Sequence, residues 1–267
     1  MSRFLKLHYR LLVTGLTSVL FFITVKAGND KPRPEYYEIK VYHLKTAEQE
    51  KTVDAYLQQA YLPALHKSGI KTVGVFKPLA NDTAADKLIY LFIPYKSMDQ
   101  FLTLPGLLDK DAAYESAGAA YLNAPYTNPP YTRMESIVLR AFRLAPLMQM
   151  PKLTGSNADH IYELRSYEGP TEKLYANKVH MFNEGGEIPL FARLGFNAVF
   201  YADVISGSKM PNLMYLTSFN DMSVHDQKWK DFGADPEWKK LVAMPEYQHN
   251  VSKADIILMH AATYSDL

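Results

Sequence analysis

The stretch Tyr37-Glu38-Ile39-Lys40-Val41-Tyr42 returns further along the chain as Tyr162-Glu163-Leu164-Arg165-Ser166-Tyr167. The echo is not isolated. Leu62-Pro63 followed by Gly69 returns as Ile188-Pro189 followed by Gly195, and Leu88-Ile89-Tyr90-Leu91 returns as Leu213-Met214-Tyr215-Leu216. Near the end of each copy, Ser136-Ile137-Val138-Leu139 matches Asp255-Ile256-Ile257-Leu258. The separations are 125, 126, 125 and 119 residues, so one register carries through with small loop changes. Two copies are too few for a solenoid, which needs more stacked units to bury its faces. The sequence reads as a duplicated domain.

Each copy follows one pattern. Residues 36–43 alternate apolar and polar, as a half-buried strand does. Residues 47–67 place Val53, Leu57, Ala60 or Tyr61, and Ala64 or Leu65 at helical spacing. Pro63 should kink or restart that helix, and Gly69 is a natural stop. Strands follow near 70–77 and 87–95, joined through Asn81-Asp82-Thr83. A second helical region covers about 97–122, interrupted near Pro105-Gly106, and the Pro-rich loop 124–130 leads to a strand near 134–142. The second copy repeats the order at about 160–167, 171–194, 196–203, 212–219, 221–245 and 254–261. The order β-α-β-β-α-β is the ferredoxin-like split motif. The fold expected is therefore α+β, two tandem ferredoxin-like domains of the dimeric α+β barrel type. Their bounds are 35–146 and 159–267, with a linker over 147–158 that holds Pro151, Gly155, Ser156 and Asn157. A four-stranded sheet with both helices on one face leaves the other bare. Stacking two such sheets covers it, either as an intramolecular pseudo-dimer or between two chains.

The opening motif Tyr-Glu-[Leu/Ile]-[Arg/Lys]-x-Tyr on a ferredoxin-like unit resembles the NIPSNAP family. So does Asp235-Pro236-Glu237-Trp238-Lys239-Lys240-Leu241; the first copy has the weaker counterpart Asp111-Ala112-Ala113-Tyr114-Glu115. The resemblance spans roughly 36–146 and 160–267 and is closest to exported bacterial tandem members. It implies a dimeric α+β barrel, and brings with it no defined reaction, cofactor or catalytic residue set.

The N-terminus carries Arg3, Lys6 and Arg10, then an apolar run of 15 residues from Leu11 to Val25, then Val25-Lys26-Ala27. A basic stretch, a short apolar core and a small residue at the cut describe a secretory signal peptide. A membrane anchor would want about 20 apolar residues. Residues 1–27 are thus expected to be removed, leaving a soluble periplasmic or secreted protein with no membrane contact. That cut takes four basic residues and no acid from the 29 basic and 28 acidic ones, for a mature net charge of −3. The charges are scattered, and nucleic-acid binding, which needs clustered Lys and Arg, is excluded. With no cysteine in the chain, disulfides are excluded too.

No Gly-rich phosphate loop occurs at a strand-to-helix turn; Gly185-Gly186 falls inside a helical pattern, where it suggests a close backbone approach. No Gly-x-Ser-x-Gly elbow is present. His180 and Glu184 have metal-ligand spacing, with Glu187 one residue short of the next turn, yet read more simply as a helix face, and no metal or cofactor is expected. The strand-one motif says more. Alternation sets Tyr37, Ile39 and Val41 against Glu38, Lys40 and Tyr42, and Tyr162 and Leu164 against Glu163, Arg165 and Tyr167. The apolar sets are expected beneath the helices and the polar sets inside the barrel, where enclosed charges must pair or meet a ligand. Glu38, Lys40, Tyr42, Glu163, Arg165 and Tyr167 are therefore the candidate ligand-binding residues. Two functions remain open: binding of a small molecule or partner in a barrel cavity, and a dimeric-barrel oxidoreductase, haem-dependent or cofactor-independent. For haem, His180 and His260 would be the axial candidates. N-terminal sequencing of protein recovered from the native envelope is expected to begin at Gly28; recovery of the full-length chain in the membrane fraction alone would contradict cleavage.

Overall fold

The computed structural model describes residues 32–267, which form one compact unit; the expected signal peptide lies outside the described residues. Eight antiparallel strands make a closed barrel: β1 (Tyr36–Leu44), β2 (Gly74–Pro78), β3 (Lys87–Tyr95), β4 (Arg133–Ala141), β5 (Ile161–Glu168), β6 (Asn197–Ser206), β7 (Asn212–Phe219) and β8 (Lys253–Ala261). Round the barrel they run β1-β3-β2-β8-β5-β7-β6-β4. Each half of the chain thus supplies four strands in the order 4-1-3-2, as a ferredoxin-like unit would. Two seams join the halves. At one, Phe76, Lys77 and Pro78 face Ala261, His260 and Met259; at the other, β4 meets β6 across a bulge at Val138/Leu139. The seams leave no free strand edge, which is how a barrel avoids unpaired backbone groups.

The helices sit outside the strands. The first half has α1 (Ala47–Tyr56), a π turn (Leu57–Tyr61), α2 (Leu62–Lys67), α3 (Met98–Leu108), α4 (Ala112–Ala117) and α5 (Ala119–Leu122). The second has α6 (Glu172–Asn183), α7 (Glu187–Arg193), α8 (Met222–Ala234) and α9 (Pro236–Val242). Their starts repeat as faithfully as the strands. Thr46 and Thr171 cap the first helix of each half by accepting from Gln49 and Leu174 N–H, and Ser97 and Asp221 cap the second by accepting from Gln100 and Val224 N–H.

The barrel interior is an apolar cluster drawn from both halves: Tyr37, Ile39, Val41 and Phe92 meet Tyr162, Leu164, Phe200 and Met214. Phe92 and Phe200 stack in parallel at 4.9 Å, and Tyr37 leans on both at 5.1 and 5.2 Å. This corrects the expected faces. Alternation holds, but the apolar set fills the barrel while Glu38, Lys40 and Tyr42, and Glu163, Arg165 and Tyr167, lie beneath the helices. The reason is that β1 and β5 are covered on both sides. The interior is lined mainly by strand side chains, with Met148, Leu153 and Leu267 packed against them, and takes the face that needs no polar partner. The helix layer can offer hydroxyls and an indole N–H to the other.

Local departures have local causes. Pro63 stands in the first turn of α2, which restarts after a widened turn: Leu62 N–H reaches back to the Leu57 carbonyl, an i→i−5 bond. Pro105 lies inside α3, and the break falls later, where Asp111 caps α4. In the second half the helix does break, at Gly185-Gly186. Gly186 has φ +99, which disfavours a side chain, and a Cβ on Gly185 would stand 2.9 Å from the Tyr247 hydroxyl. The strand expected from residue 70 begins at Gly74, since Val73 bonds instead to Asp266 of the C-terminal segment. Residues 147–158 are not a free tether: Gln149 N–H donates to the Val199 carbonyl, and Thr154 and Asn220 bond each other.

Residues 32–146 alone would bare the edges of β2 and β4 and the inner apolar face. That fragment is expected to dimerise or aggregate by size-exclusion chromatography with light scattering; a well-folded dilute monomer would show that the halves do not depend on each other.

Candidate functional site

In the second half, the Glu163 carboxylate is fully buried between β5 and α8. It accepts from Arg165 Nε at 2.7 Å and from the Trp229 indole N–H at 2.6 Å. Arg165 also donates to the Tyr167 hydroxyl at 3.0 Å, and Tyr167 bonds Tyr215 at 2.9 Å. The guanidinium lies flat against the indole, 3.5 Å from a ring centroid. Such a contact is worth more when water is excluded. The Trp229 indole occupies the space over the guanidinium.

The first half keeps the strand residues and changes the helix. Glu38 accepts from Tyr95 O–H at 3.0 Å and Ser136 O–H at 2.6 Å, with Lys40 Nζ at 3.6 Å. Lys40 donates to the Tyr61 hydroxyl at 3.2 Å. Trp229 stands eight residues beyond its helix cap Asp221, and eight beyond Ser97 stands Pro105. No ring covers Lys40 from that helix. In its place is a cavity of about 470 Å³ between sheet and helices, within the range of small-molecule pockets.

Tyrosines line it: Tyr42, Tyr56, Tyr61, Tyr95, Tyr114 and Tyr121. Tyr56 is the hub, stacked on Tyr121 at 3.8 Å and on Tyr61 at 5.6 Å, and hydrogen-bonded to the Tyr114 hydroxyl at 2.9 Å. The π turn positions this cluster, since five residues from Tyr56 to Tyr61 make one π turn and bring both rings to the same face. Burial pushes the phenols of Tyr42, Tyr56, Tyr61, Tyr95 and Tyr121 upward, so each is neutral at pH 7. Burial works against the Lys40 charge, but Tyr61 and Glu38 beside it outweigh that and its pKa rises. The pocket therefore presents phenol faces, neutral hydroxyls, the Lys40 ammonium and the carboxyl groups of Glu38 and Asp109.

Of the residues singled out from sequence, Glu38, Lys40 and Tyr42 border this pocket, whereas Glu163, Arg165 and Tyr167 are locked around Trp229. The sequence reading missed Tyr56, Tyr61, Tyr95, Tyr114, Tyr121 and Trp229. A signal existed: Tyr114 and Tyr121 recur at seven residues, two helical turns. The remaining candidates are spoken for. Glu184 pairs with Arg143, Glu187 is buried against Lys178 at 2.8 Å, and His180 bonds the Tyr247 hydroxyl. His260 bonds the His160 carbonyl. Neither His180 nor His260 borders the tyrosine pocket, so neither offers haem an axial ligand there.

Comparison with known proteins adds a family and a fold. Residues 162–266 match the NIPSNAP family, so the second half carries a NIPSNAP domain. No protein with a curated description matches the chain. Among solved structures, a proposed monooxygenase from Fusobacterium nucleatum shares the barrel at TM-score 0.54 and 8% identity, covering 86% of this chain and 93% of its own. One from Lactobacillus acidophilus does so at TM-score 0.53 and 11% identity, covering 86% and 94%. A NIPSNAP family protein from Agrobacterium tumefaciens aligns with 40% of this chain and 98% of its own, at 16% identity and TM-score 0.36.

Removing one member of the buried second-half pair should be costly. Arg165→Ala is expected to destabilise by about 3–5 kcal/mol in thermal or urea unfolding, because the fully buried Glu163 loses its partner cation. Replacing both (Glu163→Leu with Arg165→Met) should be far milder; equal losses in single and double variants would mean the charges do not act as a pair.

Proposed function

We propose that this chain is an exported small-molecule-binding protein, built as two tandem ferredoxin-like domains whose second has closed its pocket and whose first has kept it open. The reading rests on one observation. In the second half, Trp229 sets an indole on the strand cation and points its N–H at the strand carboxylate; in the first, the cation and carboxylate remain and the ring is replaced by a cavity. The protein thus contains an internal image of what the open pocket accepts. Its ligand is a flat aromatic molecule that stacks on the tyrosine faces and turns a hydroxyl or carbonyl oxygen towards the Lys40 ammonium. Glu38, already bonded by Tyr95 and Ser136, holds Lys40 in place.

A second reading uses the same pocket for chemistry. The proposed monooxygenases with this barrel support an oxidoreductase, cofactor-independent rather than haem-dependent since no histidine among the described residues borders the pocket. Their identities of 8 and 11% are a likeness of fold, and folds host many functions. Residues 1–27 support export by their basic, apolar and small-residue order, and association with a second chain stays compatible with either reading.

The test copies the second half into the first. Pro105→Trp should lay an indole over Lys40 and fill the cavity. With 1-naphthol as probe, the natural protein is expected to bind saturably by calorimetry. Pro105→Trp should bind at least tenfold more weakly, about 1.4 kcal/mol, with its thermal midpoint unchanged or raised. Unchanged binding in Pro105→Trp would refute the site. Oxygen uptake with 1-naphthol that disappears in Pro105→Trp would move the conclusion to the oxidoreductase.

A further inference from the structure

At one end of the barrel the inner face widens into a separate cavity of about 260 Å³, bordered by strands of both halves. It lies on the opposite face of β1 from the tyrosine pocket: Lys40 points to one and Val41 to the other. Its wall is mostly apolar, with Val41, Tyr90 and Ile137 from the first half facing Leu164, Met214 and Ile257 from the second. Two buried polar side chains interrupt it. Ser166 on β5 and Asn212 on β7 are 2% and 1% exposed. Alternation puts them on the inner face, in phase with Leu164 and Met214.

Asn212 Nδ2 donates to Ser166 Oγ at 2.8 Å. Asn212 Oδ1 finds no donor among the described residues. A buried carbonyl without a donor is costly, and an apolar residue would line this wall without that cost. The Ser166 hydroxyl, accepting from Asn212, keeps its own proton to donate. Side by side in an apolar chamber stand one free acceptor and one free donor.

The rim selects further. His43 is held by Asp86 at 2.7 Å and Glu135 at 3.1 Å, and Lys209 by Asp255 at 2.7 Å. His43 and Lys209 at the mouth thus already have carboxylate partners. Burial, with Glu135, Asp255 and Asp86 nearby, pushes the Tyr90 hydroxyl up to about 12, so it adds no charge.

We propose that the barrel mouth binds a small neutral alcohol with an apolar body, its hydroxyl donating to Asn212 Oδ1 and accepting from the Ser166 hydroxyl. One alcohol oxygen does both. A carboxylate could take the Ser166 proton but would face the amide oxygen and the rim acids; an ammonium could donate but would leave the Ser166 proton without an acceptor. Turning the Asn212 amide end for end frees an N–H instead of the oxygen, and a hydroxyl accepts from that equally well. The volume, a little below that of pockets for drug-sized ligands, limits the body to a short chain or a single ring.

The probe is 1-hexanol, with hexanoate and hexylammonium as comparators, followed by NMR of the Met214, Ile257 and Leu104 methyl groups. The first two border the barrel mouth and the third the tyrosine pocket. 1-Hexanol is expected to shift Met214 and Ile257 saturably and leave Leu104 in place, with hexanoate and hexylammonium at least tenfold weaker. Asn212→Leu should weaken 1-hexanol at least tenfold while keeping or raising the thermal midpoint. Should that variant fail to fold, the ranking of the three probes on the natural protein and the loss of affinity in Ser166→Ala decide. Absence of a saturable shift at Met214 and Ile257, a shift confined to Leu104, an equal response to all three probes, or equal binding by Asn212→Leu would each overturn the proposal. None of these outcomes bears on 1-naphthol binding beside Lys40.

Discussion

The structure depends on how the inside of the barrel is filled. Phe92 from the first half and Phe200 from the second stack face to face, with Tyr37 against both. Neither half can bury these rings alone. Aromatic rings of this size dominate the energetics of a core, and their position fixes the phase of the strands that carry them. Once Tyr37 points inward, period-two alternation sends Glu38, Lys40 and Tyr42 outward beneath the helices. The equivalent inward position of Tyr162, against Phe76 at 4.8 Å, does the same for Glu163, Arg165 and Tyr167. Every polar group discussed above takes its place from that choice of phase.

Given the same strand charges, the two halves satisfy them differently. Burying a carboxylate beside a cation stabilises only when further hydrogen bonds complete both groups. The second half completes them with Trp229, Tyr167 and Tyr215. The first uses shorter donors, Tyr95 and Ser136, and an ammonium that reaches Tyr61 on the π turn. A lysine has no planar face to stack, so the space above it does not demand a ring. That difference lets a cavity persist over Lys40 without leaving a charge unpaired.

Much of this was legible in the sequence. The repeats gave the strand order because the strand motifs, Tyr37–Tyr42 and Tyr162–Tyr167 or Leu88–Leu91 and Leu213–Leu216, keep their spacing. The faces were misread because alternation gives parity and not direction. A strand buried on both sides has two interior faces, and only the partners brought by other elements tell them apart. The tyrosine pocket escaped notice for a related reason. Tyr56 and Tyr61 are five apart, out of phase for an α-helix, and meet only because the turn before Pro63 widens. Pro105 was read as a break when its effect is an omission, the absence of a ring where the other half has Trp229. Asn212 carries no sequence signal, since its meaning lies in a hydrogen bond it lacks.

The two cavities share a strand, which raises the question of whether filling one would disturb the other. β1 is paired along nearly its whole length, from Tyr36 to Leu44 with β3 and from Tyr36 to His43 with β4. A shift of register there would turn every inward side chain outward, unstacking Tyr37 from Phe92 and Phe200. Any shorter displacement would strain ladders on both sides at once. The helix side offers an easier response, because the π turn meets β1 through the Lys40–Tyr61 hydrogen bond and can adjust without breaking a strand ladder. A close-packed interior transmits strain, so a displacement of β1 would be felt on both faces of the sheet. The ladders on both sides of β1 oppose such a displacement, so the barrel wall resists carrying a change beside Lys40 through to Asn212.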